Sequence, residues 1–239
     1  MIIIPAIDLK DGKCVRLLKG EFSTVHQVAD SATDTACSFL EAGAQLIHMV
    51  DLDGALIGEG KNRDVIQKAI ENSGARVELG GGIRSMEDIR AAFFLGVWRA
   101  VIGSAAVEDP ELVRRAAARY RERIAVGIDA KEGRVKTRGW TVDSGQDYIE
   151  FAKQMEQLGV QTIIFTDIDC DGALKGPAFE RLFALNQAVS CRIVASGGVT
   201  TLDDIRQLKQ AGVYGAILGK AIYSGALDLK EAIRIGEGE

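Results

Sequence analysis

Histidine and cysteine are too few and too scattered in this chain to build a metal centre or a disulfide framework. The two histidines, His26 and His48, and the four cysteines, Cys14, Cys37, Cys170 and Cys191, include no Cys-x-x-Cys pair, the spacing from which zinc sites and redox dithiols are made. Unpaired thiols suit a reducing cytoplasm, where the chain is expected to work. No Gly-x-Ser-x-Gly elbow, no P-loop and no cysteine beside a histidine is present, so acyl transfer and Walker-type phosphoryl transfer lack their parts. No apolar run approaches bilayer length and no basic leader precedes the apolar segment Ile2 to Ile7, which predicts a chain neither exported nor membrane-anchored. A net charge of -5 gives no general attraction to nucleic acid, so any positive field must be local to a site. With only three prolines and no Pro- or Ser-rich stretch, nothing reads as a linker.

What the chain does contain is a regular alternation. Short runs rich in Val, Ile and Ala predict strands at Ile2 to Ile7, Leu46 to Val50, Arg76 to Leu79, Ala100 to Ile102, Ile124 to Ile128, Thr162 to Thr166, Arg192 to Ala195 and Ala216 to Leu218. They lack polar alternation, as strands buried on both faces do. Between them lie amphipathic stretches such as Met86 to Leu95 and Leu202 to Ala211. Eight strand–helix units in 239 residues predict an α/β fold, a (β/α)8 TIM barrel. A doubly wound sheet is the competitor, but the turn after the first strand, Asp8-Leu9-Lys10-Asp11-Gly12, is no dinucleotide fingerprint.

The chain also repeats itself. Ile7-Asp8-Leu9-Lys10-Asp11-Gly12 returns 121 positions later as Ile128-Asp129-Ala130-Lys131-Glu132-Gly133, and Val50-Asp51-Leu52-Asp53 returns 116 positions later as Thr166-Asp167-Ile168-Asp169. Gly80-Gly81-Gly82-Ile83 matches Ser196-Gly197-Gly198-Val199 at that second offset, Gly103-Ser104 matches Gly219-Lys220, and Asp88-Ile89-Arg90 matches Asp204-Ile205-Arg206. The barrel is therefore read as one domain built from two similar half-barrels, about 1 to 120 and 121 to 239. The difference between the offsets puts extra length in the segment Asp11 to Asp30, expected to be a polar, mobile loop.

Glycines after an apolar strand let backbone N–H groups wrap a phosphate. Gly81, Gly82, Gly103 and Ser104 form one such cup, and Gly197, Gly198, Gly219 and Lys220 a second; two cups suit a ligand phosphorylated at both ends. Asp8 and Asp129 end strands one and five, across the barrel mouth from one another, where one carboxyl can take a proton while the other delivers one. Asp51, Asp53, Asp167 and Asp169 also end strands, but repeat symmetry alone explains them as carboxylates that order loops. His48, inside an apolar run, reads as a hydrogen-bonded core or supporting residue, and Trp140 as a cover for the core or a stacking surface for a flat heterocycle.

Taken in order, Ile4 to Gly12, Val15-Arg16-Leu17 with Gly20, Val50 to Ala55, Gly80 to Arg84, Gly139-Trp140, Thr166-Asp167-Ile168 with Asp171-Gly172, and Ser196 to Val199 resemble the phosphoribosylformimino-5-aminoimidazole carboxamide ribotide isomerases of histidine biosynthesis. The resemblance spans essentially the whole chain. It implies a barrel of the ribulose-phosphate-binding type and an Amadori rearrangement of a bisphosphorylated ribotide, aminoaldose to aminoketose, without cofactor or metal. It places the family's catalytic residues on Asp8, Asp129 and Thr166, with Asp129 as acid and Asp8 as base or the reverse, and gives Arg16, Gly20, Arg84, Trp140, Asp171 and Gly172 to substrate binding. Lys220 stands where the family usually has arginine. A monomer is expected, with no nucleic-acid or membrane partner. Three other readings stay open: the cyclase subunit of imidazole glycerol phosphate synthase, an isomerase that also accepts phosphoribosylanthranilate, and a non-catalytic phosphate-binding barrel.

Overall fold

The computed structural model describes residues 1–18, 21–57 and 61–238. Within them the strands are β1 (Ile2–Lys10), β2 (Lys13–Leu18), β3 (Glu21–Ala29), β4 (Ile47–Asp51), β5 (Val77–Gly80), β6 (Arg99–Ile102), β7 (Ile124–Lys131), β8 (Arg134–Thr137), β9 (Val142–Asp147), β10 (Thr162–Asp167), β11 (Arg192–Ser196) and β12 (Gly215–Leu218). Eight of these pair in parallel around a closed circuit, β1–β4–β5–β6–β7–β10–β11–β12 and back to β1. Helices occupy the connections between them, so the molecule is a (β/α)8 barrel. Among the described residues no helix is long and apolar enough to cross a membrane.

The eight predicted strands all form, and their continuous apolar character has a direct cause. The barrel interior is filled by Ile4, Ala6, Leu46, Val101, Ala125, Ile164, Val194 and Ile217, while the alternate residues, such as Ile3, Ile7, Met49, Ile102 and Ile163, pack outward against the helices. Fully burying a side chain such as Ile4 or Ile7 contributes roughly 1.5–3 kcal/mol over leaving it in water. The repeated Asp-Ile-Arg triplet is a helix start. Ser85 caps the helix Met86–Phe94 by accepting from the Asp88 amide, and Thr201 with Asp204 forms a capping box on Leu202–Gln210. Ile89 and Ile205 are the buried residues that follow.

One expectation fails. Asp11 to Asp30 is not an open loop: β2 pairs antiparallel with β1, and β3 with β2, making an arm that rises from the end of β1. Its side chains Cys14, Val15 and Leu17 are buried, which is what orders it. An equivalent but shorter arm, β8 and β9, stands on β7. The extra length of the first half thus falls in a longer hairpin.

Candidate active site

Every described residue assigned from the sequence to catalysis or substrate binding lines one cavity at the carboxyl ends of the barrel strands; Gly20 lies outside the described residues. Asp8 near the end of β1 and Asp129 near the end of β7 both open on it, with Thr166 beside Asp129 in the register of β10 against β7. Gly81, Gly82, Gly103 and Ser104 line one side, and Gly197, Gly198, Gly219 and Lys220 the other.

The glycines divide into two kinds. Gly81, Gly82, Gly197 and Gly198 all have positive φ, between +81° and +96°, and a Cβ would collide with backbone of the preceding strand-end loop. It would stand 2.8 Å from the Gly54 carbonyl at Gly82 and 2.9 Å from the Asp167 carbonyl at Gly197, and would run into the carbonyls of Asp51 at Gly81 and Gly176 at Gly198. These turns are fixed by packing. At Gly103, by contrast, a Cβ would meet nothing within 4 Å, so the space it leaves belongs to whatever the cavity binds. Gly219 lies under the Arg16 guanidinium, which a Cβ there would strike.

The two arms close on the site in the same way. From the first, Arg16 Nη1 donates to Asp8 Oδ2 at 2.6 Å while its guanidinium covers Gly219. From the second, Trp140 Nε1 donates to Asp129 Oδ2 at 2.8 Å, and the Arg138 amide donates to Ser104 Oγ at 2.8 Å. Each arm therefore ties its own aspartate to the cup on the neighbouring strand. Lys220 Nζ donates to the Gly172 carbonyl at 2.8 Å, binding the second cup to the loop after β10, and Arg84 Nη2 donates to the Ala55 carbonyl at 2.9 Å at the rim of the first. Trp140 reaches a carboxylate through its N–H, a contact its loop position in the sequence did not disclose.

Electrostatics separates the two aspartates. Burial pushes the Asp129 carboxyl above its ordinary value, opposed by hydrogen bonds from Trp140 and Thr166. Asp8 faces the same cavity paired with a guanidinium. A third carboxyl, Asp171, is pushed up to about 6 by burial and by the charges of Asp8 and Asp129, against the pull of Arg16 and Lys220. Asp171 was expected among the substrate-binding residues, on the resemblance alone. Its repeat counterpart is Ala55, so a search for duplicated carboxylates passes over it.

Of the remaining strand-end aspartates, Asp51, Asp53 and Asp167 hold loops. Asp51 accepts from the Gly54 amide at 2.9 Å and from Asn62 Nδ2 at 2.6 Å, while Asp53 accepts from the Asp11 amide at 2.7 Å and from Asn62 Nδ2 at 2.9 Å. Asp167 accepts from the Asp169 and Cys170 amides at 3.2 and 3.3 Å and pairs with Arg181. Asn62, 1% exposed, fastens the turn of the first arm through the Gly12 amide at 2.8 Å. No feature of the sequence marks it, because its partners come from two segments, Gly12 and Asp51 with Asp53, that the sequence keeps apart.

Comparison with known proteins finds relatives along almost the whole chain. The sequence profile of a family described as "Histidine biosynthesis protein" matches residues 2–228. Proteins named 1-(5-phosphoribosyl)-5-((5-phosphoribosylamino)methylideneamino) imidazole-4-carboxamide isomerase are similar over nearly the full chain. That of Clostridium novyi (strain NT) is 52% identical over 237 residues, covering 99% of this chain and 100% of the relative. That of Clostridium kluyveri (strain NBRC 12016) is 52% identical and covers 99% of both chains. That of Clostridium botulinum (strain Okra / Type B1) is 50% identical, covering 98% of this chain and 97% of the relative.

Proposed function

The chain belongs to the histidine biosynthesis protein family, and from that premise we propose that it is an intramolecular aldose–ketose isomerase. It acts on the ribotide in its relatives' name, carrying the N-linked aminoaldose ribose to the aminoketose. The observation that carries this reading is the placement of two differently held carboxyls, Asp8 and Asp129, in one cavity with a glycine cup on either side. Two cups suit a substrate with two phosphoribosyl groups, gripped at both ends with its central sugar between the aspartates. The two halves, about 1 to 120 and 121 to 239, supply one cup, one aspartate and one arm each.

The roles follow from how each carboxyl is held. Asp129, which burial favours in its protonated form, donates to the ribose ring oxygen as the C1–O bond breaks, leaving an open-chain iminium. Asp8, paired with the Arg16 guanidinium, takes the proton from C2 and leaves an enolamine. A proton returned to C1 and one lost from the C2 hydroxyl complete the aminoketose, with no change of mass. Thr166 orients Asp129 and the opened sugar; the glycine turns, Ser104 and Lys220 hold the phosphates. The chemistry is proton transfer throughout, for which these side chains suffice. We place the enzyme in the cytoplasm as a monomer.

The test is incubation of the purified chain with the aminoaldose bisphosphate and, separately, with phosphoribosylanthranilate, reading for a product of unchanged mass. Turnover of the first supports the reading, and turnover of both extends it to the smaller substrate. Binding of the bisphosphate without any turnover would overturn it in favour of a phosphate-binding barrel.

A further inference from the structure

Below the aspartates the barrel interior carries three ionisable side chains that the reaction as described does not use. Glu78 on β5 and Arg99 on β6 are 0% and 1% exposed. Arg99 Nε donates to Glu78 Oε2 at 2.8 Å and its Nη2 contacts the same oxygen; the other oxygen, Oε1, lies 2.8 Å from Nδ1 of His48 on β4. The His48 ring in turn lines the cavity. At the repeat positions 116 residues on stand Ile164, Val194 and Gly215, all without charge. One half of the fold thus closes without these groups, while burying an ion pair costs several kcal/mol of desolvation per ion. The barrel does not require the triad, and its charge lies under one side of the site only.

The hydrogen bonds fix what the triad presents. Burial alone would raise the Glu78 carboxyl, but the bonds and charges of His48 and Arg99 hold it below its ordinary value, and an ionised carboxylate can only accept. The hydrogen between Glu78 and His48 must therefore sit on Nδ1, and Nε2 is the ring atom left to the cavity. We propose that Glu78 is a positioning residue that locks His48 as the Nδ1–H tautomer, so that Nε2 accepts a hydrogen bond from a hydroxyl of the ribose held between the cups. The identity of that ligand rests on the isomerase reading; the tautomer does not. Arg99 keeps Glu78 charged, and Thr162 Oγ1, 3.5 Å from Arg99 Nη1, completes the guanidinium's surroundings.

The chain contains only two histidines, so long-range ¹⁵N–¹H correlation of the imidazoles resolves both, and His26→Gln assigns His48. At about pH 8 the expected His48 pattern is a protonated Nδ1, facing Glu78, and a bare Nε2. An Nε2–H pattern, or an averaged one, overturns the proposal even if every mutant misfolds. The second arm measures kcat and KM for the aminoaldose bisphosphate with Glu78→Gln, in the wild-type and in a His48→Asn background, alongside thermal unfolding. Acting through His48, Glu78→Gln lowers kcat/KM about tenfold in the first background and leaves it unchanged in the second. Equal losses in both backgrounds would give Glu78 a purely architectural role and overturn the proposal. Absence of turnover in the wild-type protein would sink the isomerase reading and leave the tautomer result standing.

Discussion

Replacing Asp171 with asparagine should make the protein more stable and the enzyme slower, and the pH at which the stability appears is fixed by the structure. Asp171 is partly buried beside Asp8 and Asp129, and its carboxyl is pushed up to about 6 from an ordinary 3.8, burial being the largest cause. In the unfolded chain that carboxyl ionises near its ordinary value. Between the two values the folded state holds a proton that the unfolded state has released, so stability falls as pH rises through this window. A displacement of about two pH units corresponds to about 3 kcal/mol, and solvent screening of a partly exposed group reduces this to about 1–3 kcal/mol. The cost is complete above the folded value and absent below the unfolded one. Asparagine carries no charge at any pH and escapes it. Urea unfolding of Asp171→Asn against wild type should therefore show a gain of about 1–3 kcal/mol at about pH 8 that vanishes near pH 4, with unchanged m. A gain of the same size at both pH values, or a loss at the higher one, would refute the reasoning, since neither can come from relief of a charged, displaced carboxyl. The companion expectation is a fall in kcat, the usual trade where a site keeps a destabilised group.

Asp8→Asn and Asp129→Asn should each cut kcat by about 10²–10⁴-fold while bisphosphate binding is largely kept, measured by steady-state kinetics alongside calorimetric titration with a non-reacting bisphosphate. Gly81→Ala and Gly103→Ala should separate packing from binding. The first drives a Cβ into the Asp51 carbonyl from a positive φ and should lower the unfolding midpoint sharply, whereas the second points a methyl into the open cavity and should chiefly raise KM. Trp140→Phe removes the N–H that Asp129 accepts at 2.8 Å. Because that bond holds the Asp129 carboxyl down against burial, its loss should raise the acid's pKa further and move the alkaline limb of kcat against pH upward.

The barrel was legible because its strands are buried on both faces, which leaves uninterrupted apolar runs such as Ile2 to Ile7 and Ile124 to Ile128. The arms were not legible because their apolar pattern is broken. On β2, Arg16 interrupts the buried run Cys14, Val15 and Leu17 by pointing a buried guanidinium at Asp8, and Thr24 to Ala29 of β3 are half-buried or exposed. Duplication made Asp8, Asp129 and the two cups conspicuous, since each glycine that packing or ligand space demands in one half is demanded again in the other. Residues present once had no such signal. Asp171, Asn62 and the set His48, Glu78 and Arg99 take their properties from neighbours on other strands, and their counterparts Ala55, Ala178, Ile164, Val194 and Gly215 are unremarkable.

That division between duplicated and single residues has a chemical sense. The task of gripping two phosphates is itself symmetric, and a twofold scaffold meets it by repeating one cup and one arm. The task of isomerisation is not symmetric, because one carboxyl must arrive protonated and the other ionised at the same sugar. Two aspartates in identical surroundings would share one proton affinity and would compete for the same role. Here the symmetry is broken at the atoms that touch them: a guanidinium on Asp8, an indole N–H and a threonine on Asp129, and a charged triad beneath one side against isoleucine, valine and glycine beneath the other. Exchanging those partners, by placing an arginine on the second arm at Thr137, the counterpart of Arg16, should pull Asp129 toward its ionised form and shift the alkaline limb of kcat to lower pH. An unmoved limb would mean that the environment of Asp129 does not set its role.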